Sequence, residues 1–152
     1  VRRELDGGFE LDDDRARIDV DAVHAFISSE SYWGLGRPRE RVEQAIEGSA
    51  RVVGLYHVDR SGVIKQVGFA RAVSDGATLA YLADVYVLRP YRGRGLGLEL
   101  VREIVERSFG AVRWMLHTAD AQELYSKLGF VEGRPPYPLM ERGSDGGRAT
   151  VR

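Results

Sequence analysis

Cysteine is absent from this chain, and lysine occurs only twice, at Lys65 and Lys127. The first absence excludes disulfides, thiolate metal sites and a cysteine nucleophile, and is compatible with a reducing cytoplasm. The second removes one class of phosphate site, because a nucleoside-triphosphate loop needs Gly, four residues, Gly, Lys and then Ser or Thr. Long apolar runs are also missing, and Val1-Arg2-Arg3-Glu4-Leu5-Asp6 is polar where a signal peptide carries its apolar core. Charge of one sign is not in excess: the net charge is −1, without the basic footprint of a nucleic-acid binder. Asp12-Asp13-Asp14 lacks the glycine and glutamate spacing of a calcium loop and reads as a solvated acidic turn, so no metal is expected. The composition predicts a soluble cytoplasmic protein with neither membrane nor nucleic acid as a partner.

What is present fits one globular domain, since 152 residues with 43% hydrophobic content can bury a full core. Phe9 to Leu11 starts a short strand. Asp19 or Asp21 caps a helix carrying Val20, Val23, Phe26 and Ile27, and Pro38 opens a second helix running to Glu47. Between them, Glu30, Tyr32 and Trp33 occupy a loop that reads either as a substrate loop or as aromatic anchoring to the core. From Arg51 the period changes to two. Val52–Val58, Val63–Val73 and Thr78–Val87 are predicted as three antiparallel strands, with bulges at Gly54 and Gly68. A helix follows from Leu96 to Phe109, its wet face assigned to Glu99, Arg102, Glu103 and Glu106. Residues 111–118 make a strand parallel to 78–87. Asp120 then caps a short helix that Gly129 ends in a left-handed turn.

The centre of the chain is Val85-Tyr86-Val87-Leu88-Arg89-Pro90-Tyr91-Arg92-Gly93-Arg94-Gly95-Leu96-Gly97. A strand breaks at proline, enters an arginine- and glycine-rich loop and runs directly into a helix, which is the anatomy of an anion site. Arg92-Gly93-Arg94-Gly95-Leu96-Gly97 resembles the acyl-coenzyme A loop of the GNAT superfamily, the Gcn5-related N-acetyltransferases. Asp120-Ala121, Leu124-Tyr125 and Gly129-Phe130 resemble that superfamily's second motif.

The resemblance implies an α+β GNAT fold, with a mixed, mostly antiparallel central sheet flanked by helices. It implies a domain over residues 1–142 and an unstructured tail over 143–152. It implies acetyl-CoA as co-substrate, held by Val85, Tyr86, Val87, Arg92, Gly93, Arg94, Gly95, Leu96, Gly97, Asp120 and Tyr125, and an acetyl group passed directly to a primary amine in a ternary complex. Tyr125 would protonate the leaving sulfur. The base stays open among Asp84, Glu30, His117 and a water chain, because Ala83 stands where diamine acetyltransferases of the superfamily carry a glutamate. Asp84 is retained as a catalytic residue and Glu30, Tyr32 and Trp33 as acceptor-site residues. The acceptor would be a small-molecule or protein amine, a homodimer is compatible with the pattern, and a catalytically idle acyl-CoA sensor is the alternative reading.

Overall fold

The computed structural model describes residues 1–133 and 139–144. Two compact units divide the chain, Val1–Asp120 and Ala121–Arg152. In the first, six strands form one sheet: β1 (Arg2–Leu5), β2 (Phe9–Asp12), β3 (Arg51–Val58), β4 (Ile64–Ser74), β5 (Leu79–Val87) and β6 (Arg113–Met115), lying side by side in chain order. The pairs from β1 to β5 are antiparallel, and β5 with β6 is parallel. The expected α+β class and mixed sheet are thus present; the short strand expected from Phe9 is β2, and β1 is an additional strand at the N-terminal side. β1 escapes a periodicity reading because Arg2-Arg3-Glu4-Leu5 is an edge strand of mostly charged residues, a composition that protects an edge from pairing with other chains.

Helices α1 (Val20–Ser29) and α2 (Arg39–Gly48) cover one face. Asp19 caps α1 by accepting from Ala22 N–H, and Pro38 stands just before α2 rather than as its first residue. Val23, Phe26 and Ile27 of α1 and Val42 and Ile46 of α2 pack with Val52, Phe69 and Tyr86 in one cluster. Neighbouring strand residues alternate faces, so Val53, Leu55, Val67 and Ala70 point the other way. There α3 (Leu96–Glu106) buries Leu100, Val101 and Ile104 against β3, β4 and β5. A β-bulge does lie beside Gly68, where Leu55 and Tyr56 pair with Gly68 and Gln66 and leave Val67 as the extra residue. Gly54 has a different reason to be glycine: an added Cβ would sit 2.4 Å from the Tyr56 hydroxyl.

Glu103 departs from the expected wet face of α3. It is 3% exposed and pairs with Arg3 at 3.3 Å, Arg51 at 3.7 Å and Arg107 at 3.3 Å, tying α3 to β1 and β3. Helical spacing grouped it with Glu99 and Glu106, but two of the three arginines that cover it come from strands about 50 and 100 residues away. The predicted strand 111–118 is also trimmed to three residues. In the second unit, α4 (Gln122–Ser126) begins after Ala121, not after an Asp120 cap, and no side chain caps it. Gly129 has φ +87°, as its left-handed turn requires, and Phe130 N–H folds back onto Tyr125 C=O at 3.2 Å. Of the expected tail, residues 145–152 lie outside the described residues.

Removing Glu103 strands buried guanidinium charge, so Glu103→Ala should lower unfolding free energy by about 3 kcal/mol. Glu99→Ala, which breaks only the half-exposed pair with Arg102, should cost about 0.5 kcal/mol or less. Urea denaturation of the two variants measures both, and equal losses would return Glu103 to the wet face.

Candidate active site

The site begins with a mismatch in strand pairing. Phe69 pairs with Tyr86 and Arg71 with Ala83, so two steps along β4 face three along β5. The surplus residue is Asp84, which has φ 54° and is the one non-glycine with positive φ among the described residues. Left-handed backbone costs a non-glycine residue roughly 1–2 kcal/mol, with aspartate and asparagine among the more tolerant. The bulge places Ala83 and Asp84 together opposite Arg71 and reverses the facing of all that follows.

Asp84 is buried, and three donors hold its carboxylate. Trp33 Nε1 donates to Oδ1 at 2.8 Å, while Arg37 at 2.9 Å and Arg71 at 2.7 Å both donate to Oδ2. Burial alone would raise its pKa, but the Arg71 and Arg37 charges and the bonds from Arg71 and Trp33 outweigh it and hold the carboxyl below its ordinary value. A carboxylate so engaged is a weak proton acceptor at neutral pH. The catalytic role expected for Asp84 therefore has little support in this geometry, and its place is that of an anchor.

The anchored loop, residues 30–38, is itself compact. Ser31 Oγ donates to Ile27 C=O at 2.6 Å and accepts from Gly34 N–H at 3.0 Å, and Gly36 N–H donates to Ser28 C=O at 2.9 Å. A Cβ on Gly34 would lie 2.5 Å from Ile27 Cγ2, so only glycine lets the loop close down on α1. Trp33 lies partly buried against the core, and Tyr32 stands edge-on to it at 5.0 Å. The Tyr32 ring is 54% exposed and its hydroxyl accepts from Ala119 N–H at 2.8 Å. Trp33 thus anchors the loop while Tyr32 faces outward.

Glu30 takes another position. It lines a cleft of about 340 Å³ between α1 and the ends of β4 and β5, with Phe26, Lys65, Gln66, Tyr86 and Leu88. The floor is the Phe26–Tyr86 stack, with ring centroids 4.0 Å apart and planes at 12°. Burial raises the Tyr86 phenol pKa, partly opposed by its contact with Gln66, so the hydroxyl stays protonated. The Tyr86 side chain gains its place in the cleft from the Phe26 ring that α1 brings over it, a partner 60 residues earlier in the chain that no local pattern signals. His117 Nδ1 lies 2.5 Å from the Tyr81 hydroxyl, on the loop after β6.

Beyond the bulge the sheet opens. β5 and β6 pair only from Leu79↔Arg113 to Tyr81↔Met115, and among the described residues no strand continues the ladder alongside Leu82–Val87. This stretch leads through a short 3-10 turn at Arg89–Tyr91 into the glycine loop. Arg92 Nε donates to Val87 C=O at 2.8 Å and fixes the loop to the strand end. Gly93 and Gly95 both have φ +78°, and a Cβ on either would meet no heavy atom within 4 Å. Gly95 is the N-cap of α3 and no side chain caps the helix, so the first-turn N–H groups meet an open space beside two exposed arginines, Arg92 and Arg94. That donor set and that space fit a pyrophosphate.

Asp120 lies at the end of the first unit, where its N–H donates to Thr118 Oγ1 at 3.4 Å. Tyr125 belongs to the second, on α4, edge-on to Phe130 at 5.8 Å.

Known proteins share this architecture. Residues 51–132, more than half of the chain, match the family described as "Acetyltransferase (GNAT) domain". FG08082 of Gibberella zeae, provisionally named as an acetyltransferase, is 32% identical over 84% of this chain and 82% of its own length. The crystal structure of xcc2953 from Xanthomonas campestris pv. campestris, assigned to the GNAT family, superposes with a TM-score of 0.79 at 34% identity, covering 93% of this chain and 97% of that one. Rv2747 of Mycobacterium tuberculosis, solved in complex with CoA, shares the fold with a TM-score of 0.62 at 19% identity over 84% of this chain and 75% of its own. Of other curated relatives the chain spans about half, 56% of one and 48% of another. The chain belongs to the GNAT family of acetyltransferases.

Asp84 has a lowered pKa in the folded protein, so its ionised form adds stability above the unfolded value, about 3.9, and that stability is lost as pH falls through the folded value. Asp84→Asn should cost about 3 kcal/mol at pH 7, and the gap from wild type should narrow as the pH drops below about 4. Urea titrations at several pH values measure the gap, and a constant gap would mean that the ionic bonds to Arg71 and Arg37 contribute nothing.

Proposed function

We propose that the chain transfers an acetyl group from acetyl-CoA to a primary amine by direct attack in a ternary complex, with residues 1–142 acting as the acetyltransferase domain. The observation that carries this reading is the continuity of one segment. The stretch of β5 beyond its pairing with β6 runs straight into two left-handed glycines and the uncapped start of α3. In this reading backbone groups of Val85, Tyr86 and Val87 bind the pantetheine arm as a strand would, and an N–H there polarises the thioester carbonyl. Arg92, Gly93, Arg94, Gly95, Leu96 and Gly97 hold the pyrophosphate through backbone N–H groups and guanidinium forks. Asp120 and Tyr125 line the far side of the coenzyme, and the Tyr125 hydroxyl gives its proton to the leaving sulfur.

The acceptor enters by the cleft over Phe26 and Tyr86. Its stacked aromatic floor suits an apolar or aromatic portion, and Glu30 on the rim suits an ammonium group. Once the amine has lost its proton, nitrogen attacks the carbonyl carbon, the C–S bond breaks, and the thiolate takes a proton. Glu30, on the rim of that cleft, and His117 are the candidates to receive the amine's proton. An amine of a small molecule or of a protein presented as a narrow side chain is accommodated alike.

Two variants test the assignment. Gly95→Val should weaken CoA binding at least 10-fold by calorimetry, since left-handed backbone disfavours valine and its side chain would enter the pyrophosphate space. Unchanged affinity would remove the loop from the site. Tyr125→Phe keeps the ring but not the proton, so kcat should fall by about 100-fold with CoA affinity retained. Turnover equal to wild type would return Tyr125 to a packing role, and tight CoA binding without turnover on any amine would identify a catalytically idle module.

A further inference from the structure

We infer that Asp84 is a positioning residue that locks the acceptor-side loop, residues 30–38, to the coenzyme strand at its bulge. The inference rests on the acetyl-transfer reading above and adds to it a part that joins the two substrates' sites. Three observations lead to it.

The first is where the donors come from. Arg71 belongs to β4, next to the bulge, whereas Arg37 and Trp33 belong to the loop, so one carboxylate ties the loop to both β4 and β5. The second is where the carboxylate sits. Asp84 is three residues past Tyr81, the last residue of β5 paired with β6, and immediately before Val85–Val87, so any movement of its backbone moves the stretch that meets the thioester. The third is what lies on the other side of Trp33. Its ring is 6.5 Å from Phe26, and Phe26 stacks on Tyr86 as the floor of the acceptor cleft.

Stability alone does not account for this arrangement. A buried ion pair can commonly be replaced by apolar residues of similar volume without loss, and the left-handed conformation of Asp84 adds strain that a glycine would avoid. What only the aspartate supplies is direction. Two oxygens in a fixed plane receive an indole N–H on one and a single N–H from each of two guanidinium groups on the other, which sets the loop in register with the bulge. The separation between amine and thioester carbonyl is thereby built into the fold, and displacements of about 1 Å at such a pair can cost roughly 100-fold in rate.

Arg37→Met and Trp33→Phe each remove one loop donor and leave the Asp84–Arg71 bond in place. Arg39→Met, which breaks only surface pairs with Asp21 and Glu43, is the control. Hydrogen exchange of the loop amides with and without saturating acetyl-CoA needs no amine. In wild type and in Arg39→Met, acetyl-CoA should slow exchange of residues 31–37 by on the order of 10-fold, and in Arg37→Met that protection should disappear while the CoA dissociation constant stays within about twofold. With 2-phenylethylamine as acceptor, Arg37→Met and Trp33→Phe should raise KM for the amine about 10-fold with a smaller change in kcat. Loop exchange indifferent to bound acetyl-CoA in wild type would overturn the inference, as would a folded Arg37→Met with wild-type amine KM and wild-type protection. Absence of acetyl-CoA binding by calorimetry would instead strike the acetyl-transfer reading itself, before any loop variant is compared.

Discussion

A single surplus residue in β5 governs the layout of the first unit. With a regular ladder, the residues after Ala83 would keep their pairing phase with β4 and their original facing. Because Asp84 is inserted opposite Arg71, Tyr86 is delivered to the α1 face, where it stacks on Phe26, while Val85 and Ala70 share the face of α3. β6 pairs with β5 only before the bulge, and among the described residues no strand lies beside the edge that follows. The cost is local strain at a non-glycine φ of 54°, and it persists because Arg71, Arg37 and Trp33 together over-determine the Asp84 conformation.

The chain handles other buried carboxylates in the same manner. Glu10 and Asp12 on β2 are held by Arg17 at 2.5 and 2.7 Å, and Glu103 is shared among three arginines. Arginine suits this work because its planar fork satisfies two acceptors in fixed directions and its charge is not lost at any ordinary pH. These clusters stand at the seams between elements: β2 with the turn at Arg15–Arg17, α3 with β1 and β3, and β5 with the loop after α1. Lysine is left mainly to the surface, with Lys65 near the Tyr91 ring at 6.0 Å and at the cleft rim.

Legibility in the sequence followed how local the deciding interaction is. The glycine loop and α3 were readable because a 3.6-residue period and closely spaced glycines are written within about a dozen residues, and the Leu96 start lies where it was expected. The β3–β4–β5 meander was readable from its period of two. Glu103 was not, because besides the local Arg107 it takes two arginines from distant strands to make a carboxylate acceptable on the buried side of that helix. The same holds for Asp84: nothing adjacent to it signals that Arg37 and Trp33, about 50 residues earlier, will converge on it. The cleft that Glu30 lines could not be read at all, because its Phe26–Tyr86 floor exists only once α1 lies on the sheet.

The central claim is that one continuous segment, the open end of β5 with the start of α3, receives the coenzyme. Backbone amide shifts of isotopically labelled protein, followed while CoA is added, test it residue by residue. The account predicts that the amides of Val85–Val87 and of Gly93–Leu96 move together and saturate with one dissociation constant. Saturable binding that leaves both stretches unmoved, or that moves only the residues lining the Phe26–Tyr86 cleft, would contradict it.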